Sequence, residues 1–327
     1  MAVGAHGHSA VCRIGFVGTG AVAQRHARVL TGFPDVELVA AMDVDPDRAA
    51  AFAEAYGGRP VPDLDALLAA GLDAVYVCVP PFAHGAAEVQ AAAAGMALFV
   101  EKPLAAEEAT AEWVGRRIAT AGVVTRVGHH WRCAEPVHRA RQMLSGRRIR
   151  LVSGVWLDRV PPVPWWSDRA RSGGPLVEQA VHVLDLARFL VGEVTEVHAA
   201  TAGSLPGGAD TATGALLCFR NGAVGTLATT CVLDAKHRTG LEIVADGLFV
   251  GVGEDWLDIR DGDGGHRAEY DAMAPRVAVD RAFVDAVLGS PVDHDRDAPD
   301  HADALRSHRL ACALARSSES GRAEKVR

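Results

Sequence analysis

Apolar residues in the first third of the chain come in short unbroken runs, each followed by a stretch where they recur every three or four positions. Val11–Val17 is such a run, and AVAQRHARVL after it has helical spacing. The alternation then repeats. Val36–Met42 precedes DPDRAAAFAEAYG, where Asp45 stands as a helix cap. AVYVCVP (74–80) precedes an alanine-rich helix to Ala94, ALFVEKP (97–103) precedes a helix from about Ala106 to Thr120, and VVTRVG (123–128) closes the series. Unbroken apolar strands separated by helices predict a parallel sheet covered on both faces, so residues 1–128 read as a doubly wound α/β domain.

Beyond about residue 130 the pattern changes. Strand-like runs fall at Ile149–Asp158, Val194–Ala202, Ala212–Arg220, Ala223–Val232, Leu241–Val244 and Leu248–Val250. Asn221-Gly222 between two of them is a two-residue hairpin signal, since both residues tolerate positive φ. Helices are predicted near 135–144, 175–191, 277–289 and 299–316, the last placed to pack back on the first domain. Residues 129–327 therefore read as an α+β domain on a large, mostly antiparallel open sheet. Asp258–Asp271 reads as a surface turn rather than a calcium loop, because the spacing and the closing Glu are absent. Residues 1–9 and 318–327 read as frayed ends.

Composition narrows the function classes. The 327 residues carry 33 Lys+Arg against 41 Asp+Glu, a net charge of −8, which argues against a nucleic-acid partner. No run of about 18 uncharged apolar residues is present to span a membrane. The opening MAVGAHGHSAVCR lacks a signal-peptide core. Six scattered cysteines form no C-x-x-C, which predicts free thiols in a reducing cytoplasm and no metal site. Only three basic residues are lysines, Lys102, Lys236 and Lys325, so each is worth placing.

Gly18-Thr19-Gly20-Ala21-Val22-Ala23 fits G-x-G-x-x-A directly after the first strand. Gly18 permits the tight turn, Gly20 lets a pyrophosphate approach the backbone, and Ala21 and Val22 open the helix whose N-terminus would face the phosphates. Asp43 ends the second strand near the spacing expected for a carboxylate that grips a ribose 2′-hydroxyl. A carboxylate there repels a 2′-phosphate, and no arginine follows at once to receive one. The expected cofactor is therefore NAD.

At ALFVEKPLA the chain resembles the Gfo/Idh/MocA oxidoreductases. The resemblance runs through the dinucleotide turn, VPPFAH (79–84), Glu101-Lys102-Pro103 and SGGPLVEQAVHVLDLARFL (172–190). It implies a Rossmann domain and nicotinamide-dependent oxidation of a secondary hydroxyl on a sugar or cyclitol, or the reverse reduction. It also implies a homo-dimer or homo-tetramer built through the second sheet. Pro80, Pro81 and His84 resemble the family's nicotinamide-side loop, although Pro81 and His84 equally suit a helix start. Glu101 and Lys102 join the cofactor-binding set.

The residues support the same site. Lys102 stands at the carboxyl edge of a parallel sheet, where a cation would stabilise alkoxide character. Glu178, His182 and Asp185 fall at i, i+4 and i+7 of one predicted helix face. His182 is the candidate general base. The family more often has Asp where Glu178 stands and Gly where Ala180 stands. Glu178 is read as orienting His182 or holding a substrate hydroxyl. His129-His130-Trp131-Arg132 lies at the same edge. Its adjacent histidines diverge on any regular element and make poor joint metal ligands, whereas His130 and Trp131 suit sugar contacts. Trp156, Asp158, Arg159, Trp165, Trp166, Asp168 and Arg171 surround a proline-rich loop, where Trp166 either faces a sugar ring or belongs to a plain core. The alternatives to a dehydrogenase are an NAD-dependent glycoside hydrolase working by oxidation and elimination, and a non-catalytic sugar sensor.

Overall fold

The chain alternates strand and helix through its first third in the computed structural model, which describes residues 11–290 and 298–326. The order is β1 (Cys12–Val17), α1 (Ala21–Leu30), β2 (Val36–Met42), α2 (Pro46–Tyr56), β3 (Arg59–Pro60), α3 (Leu64–Leu68), β4 (Ala74–Val77), α4 (Ala86–Ala93), β5 (Ala97–Val100), α5 (Glu108–Ala121) and β6 (Thr125–Val127). There follow α6 (Glu135–Leu144), β7 (Ile149–Leu157), α7 (Arg169–Ser172), α8 (Pro175–Glu178) and α9 (Val181–Val191). The strands β8 (Val194–Ser204), β9 (Asp210–Phe219), β10 (Val224–Thr230), β11 (Arg238–Ala245), β12 (Leu248–Val252), β13 (Trp256–Asp261) and β14 (Gly264–Glu269) come next. The last elements are α10 (Ala274–Val287), α11 (His301–Ser320) and β15 (Glu324–Lys325).

The first sheet is parallel in the order β3-β2-β1-β4-β5-β6. Its direction of growth reverses between β1 and β4, which leaves a crevice beyond their carboxyl ends. Every residue of β4 and β5 is buried, as a sheet covered on both faces requires. Tyr76 stacks on Phe16 and on Phe99 at centroid distances of 5.1 and 4.6 Å, and Phe283 of α10 meets Tyr76 edge-on at 5.4 Å. A helix that follows the second sheet in sequence thus seals one face of the first.

The second sheet has nine strands in the order β14-β13-β12-β11-β7-β10-β9-β8-β15. It is antiparallel apart from the parallel pair β7–β10. The mostly antiparallel architecture read from the sequence is therefore the one observed. One face is covered by α6, α9 and α11, whose apolar sides share a core with Val152, Leu227 and Ile243. On the other face Leu151, Val224 and Val244 lie side by side in register and are exposed.

Three expectations need correction. Residues 318–326 are not frayed: α11 runs to Ser320, and Glu324–Lys325 pairs with β8, closing that edge. Asp258–Asp271 is not a plain turn, since β13 and β14 form a hairpin there whose largely polar letters hide the alternation. The predicted helix 175–191 breaks after Glu178, where Gln179 N–H and Ala180 N–H both donate to the Pro175 carbonyl. That turn is wider than an α-helical one and changes the phase between Glu178 and His182. The expectation for residues 1–9 lies outside the described residues.

A buried charge cluster ties α1, β5 and α10. His26 Nδ1 lies 2.7 Å from Asp280 Oδ1, and Nε2 lies 2.9 Å from Glu101 Oε1. Tyr76 donates its hydroxyl to the same Asp280 oxygen. Burial favours a neutral ring, but the two carboxylates outweigh it and push His26 up to about 9 from 6.5. His129 and His301, buried and with no hydrogen bond to a carboxylate, are pushed down to about 4 by burial. The signs are opposite. The stabilisation from His26 is complete below about pH 6.5 and is lost as pH rises through about 9, whereas His129 and His301 cost stability as pH falls from 6.5 towards 4. The urea-unfolding free energy should peak between these limits and fall by about 1 kcal/mol or more from pH 7 to 9.5. His26→Gln should flatten the alkaline limb and leave the acid limb in place.

Candidate active site

The turn between β1 and α1 is built for close approach. Gly18 has φ +85°, and a Cβ there would meet the Cys78 carbonyl oxygen at 2.5 Å. At Gly20 the same construction meets nothing within 4 Å, so the space in front of α1 is open. No side chain caps α1, which leaves its first amides aimed into that space. Asp43 Oδ2 accepts from Thr19 N and Oγ1 at 2.8 and 2.9 Å, and Oδ1 accepts from Asp45 N. Burial opposes ionisation of Asp43, but these donors outweigh it and hold the carboxyl below its usual range.

These residues line a cleft of about 460 Å³ together with Ala21, Val22, Pro80, Pro81, Lys102 and Glu178. The arrangement fits a dinucleotide: open backbone for phosphates, an ionised Asp43 at the end of β2, and apolar Val22, Val44, Phe82 and Val163 on the walls. Val44 is 99% exposed, an odd place for a valine unless a ligand covers it. Arg48 is held by Asp45 at 3.2 Å, with most of its side chain exposed.

His84 does not belong with the cleft residues. Its Nδ1 lies 2.5 Å from Glu88 Oε1, while Glu88 Oε2 accepts Gly85 N–H. The residue serves the start of α4, the helix-start reading of VPPFAH, while Pro80 and Pro81 line the cleft. Glu101 reaches the cleft floor, but its oxygens are already engaged by His26, Arg25 and the Lys102 amide. Burial raises its pKa, and these partners outweigh burial to bring it down to about 2.

Lys102 points the other way, into the cleft. Its Nζ donates to Glu178 Oε1 at 2.8 Å and to the Glu178 carbonyl at 2.9 Å. Glu178 Oε2 accepts from Trp166 Nε1 at 2.6 Å. Trp166 is fully buried and offers no face to a sugar, so here the plain-core alternative holds. Trp165 next to it lines the cleft instead.

His182 stands in an aromatic box. Trp131 and Trp156 lie nearly parallel to its ring, and His129 and His130 meet it edge-on, all with centroids 5.4–5.8 Å away. Nδ1 is buried without a hydrogen-bond partner. Burial first, then the charge of Lys102, holds the ring well below its usual pKa and therefore neutral. His130 Nε2 lies 2.9 Å from Glu254 Oε1, and Glu254 also pairs with Arg276. Trp131, 2% exposed, packs on His182 rather than lying open.

The predicted stripe is divided. Asp185 makes a bidentate pair with Arg132 at 2.7 and 2.6 Å, accepts from Ser307 and lies 3.9 Å from His129. The broken turn before α9 separates Glu178 from the helix that carries His182 and Asp185. Sequence reasoning did not find Val44, Phe82, Glu254 or His26. For Phe82 the signal was its place just beyond β4, and for Val44 its apolar letter between two aspartates. Glu254 carried none.

Comparison with known proteins gives the same outline. Residues 12–129 match the model of an oxidoreductase family with an NAD-binding Rossmann fold, and residues 137–247 match the GFO/IDH/MocA C-terminal domain. The inositol 2-dehydrogenase of Rhizobium meliloti (strain 1021) is 33% identical over 195 residues, 59% of each chain. The chain thus spans under two thirds of that relative's length. A putative myo-inositol dehydrogenase from Sinorhizobium meliloti 1021 superposes with a TM-score of 0.82 at 25% identity, covering 97% of this chain and 100% of that one. GenD2 from gentamicin A biosynthesis, solved with NAD, superposes with a TM-score of 0.81 at 25% identity over 100% of both chains.

Gly18→Ala places a methyl group against the Cys78 carbonyl in a backbone conformation that alanine resists. It should weaken NAD binding about tenfold or more, read by quenching of tryptophan fluorescence. Unchanged affinity would remove this turn from the phosphate site.

Proposed function

The chain belongs to the GFO/IDH/MocA oxidoreductase family, and from that premise we propose that it is an NAD-dependent dehydrogenase interconverting a secondary hydroxyl and a ketone on a sugar or cyclitol. The observation that carries this reading is a lysine ammonium fixed at the cleft by Glu178, together with a neutral histidine whose buried Nδ1 has no hydrogen-bond partner.

Gly18, Gly20, Ala21 and Val22 hold the pyrophosphate end, Asp43 the ribose, and Pro80 and Pro81 the nicotinamide side. NAD held there would supply the acceptor for the carbinol hydride. Lys102 donates to the reacting oxygen and stabilises the negative charge that grows there as the hydroxyl proton leaves. His182, kept neutral by burial and neighbouring cations, takes that proton. The products are a ketone, the reduced cofactor and a protonated imidazole, which returns its proton to solvent. Glu178 positions Lys102 rather than gripping substrate, since one oxygen holds the ammonium and the other the Trp166 indole. The extra methylene relative to Asp supplies that reach.

The exposed Leu151, Val224 and Val244 on the open sheet support self-association through that face. All six cysteines are free, which supports a reducing, cytoplasmic setting.

A panel of cyclitols, hexoses and aminoglycosides, assayed with NAD and NADP in parallel, should give substrate-dependent NADH accumulation and favour NAD. Turnover without net NADH would overturn the dehydrogenase reading in favour of a hydrolase. Lys102→Met and His182→Asn should each lower kcat/KM by about 10²–10⁴ with NAD affinity nearly unchanged. The acid limb of kcat/KM should lie below pH 6.5, because the base loses its function only on protonation. Leu151→Glu should shift the sedimentation coefficient towards the monomer; an unchanged value would place the subunit contact elsewhere.

A further inference from the structure

The structure assigns to His26, a residue of the cofactor-loop helix, the part of a positioning residue for Lys102: wedged between Asp280 and Glu101, it holds the Glu101 carboxylate down on the cleft floor and keeps that negative charge from competing for the lysine ammonium. The inference rests on the reading of Lys102 as the cation of the active site.

Its parts are on three elements. His26 and Asp280 are 2% and 1% exposed, and each ring nitrogen of His26 faces a carboxylate oxygen at 2.9 Å or less. Two such acceptors require two ring protons, so the ring is a cation. Glu101 Oε2 accepts the amide of Lys102 at 3.0 Å, so the carboxylate is one residue from the ammonium it must not capture. A Cβ on Gly128 would sit 2.7 Å from that carboxylate, so the last turn of β6 is shaped to leave it room. The charged and titratable groups facing His26 are Asp280 from α10, Glu101 from β5 and Tyr76 from β4, with Arg25 of α1 reaching Glu101 at 3.3 Å. Without the imidazolium, Arg25 at that longer distance is, among the described residues, the one side-chain cation left on Glu101 besides Lys102 itself. The ammonium would then be drawn from Glu178 towards Glu101.

Because the chain has three lysines, each can be followed separately. The full-length wild type and His26→Gln are pulsed with acetic anhydride at pH 8, and acetylation of Lys102, Lys236 and Lys325 is read by peptide mass spectrometry. Lys102 should react about threefold or more slowly in His26→Gln, with the other two unchanged as internal references. An unchanged or faster Lys102 rate in a folded variant overturns the proposal. Should His26→Gln fail to fold, Asp280→Asn keeps the imidazole but removes its stronger partner. Lys102 should then slow in the same direction at pH 8.5, and an unchanged rate again overturns the proposal. On whichever panel substrate turns over, His26→Gln should lower kcat about tenfold with KM within about twofold. If no compound turns over, the dehydrogenase reading fails while the acetylation result still decides this one.

Discussion

Two adjacent residues of opposite charge at the end of β5 constrain the rest of the molecule. Just past the end of β5 the two side chains take separate partners. The lysine extends into the cleft and the glutamate is buried at its floor, where a carboxylate without donors would be expensive. Both are then provided for. At the floor, α1 supplies His26 and Arg25, and Gly128 just after β6 leaves the carboxylate room. In front, α8 ends at Glu178, which supplies a carboxylate and a carbonyl to the ammonium.

The site in front follows from keeping one cation charged and one imidazole neutral a few side chains apart. Lys102 has an anionic partner of its own. His182 has none, and is enclosed by rings that solvate charge poorly. The paired ammonium and the unpaired imidazole are the arrangement that the proposed oxidation of an alcohol would use. Trp166 serves this arrangement from the core by fixing the second oxygen of Glu178.

Much of this was legible in the letters. The doubly wound half could be read because its buried strands are unbroken apolar runs, and the glycine turn, Asp43 and Lys102 could be placed on one cleft because each closely follows one of those strands. The C-terminal sheet was legible wherever an alternating or apolar run marked it. It was not legible at β13–β14, whose residues are largely polar, nor at β15, which is two residues long. The stripe Glu178, His182, Asp185 was a sound inference from a continuous helix, and it failed because one wide turn at Pro175–Ala180 is invisible to periodicity. His84 stayed open between two readings because a histidine after a proline pair suits a cofactor loop and a helix start equally. His26 and Glu254 were missed for a simpler reason: their partners lie 254 and 124 residues away, and no local pattern records such a distance.

The central place of β7 has a consequence for how the chain comes together. Its two neighbours, β10 and β11, begin at Val224 and Arg238, so it stays unpaired until some seventy to ninety later residues have been made. The first sheet waits longer. Phe283 of α10 and Ala304 of α11 belong to the cores on its two faces, so neither face is sealed before residue 283 has been made. The cofactor half, though contiguous and first in sequence, is therefore not finished first. During synthesis it stands as an open sheet whose completion depends on the same late helix that brings Asp280 to His26.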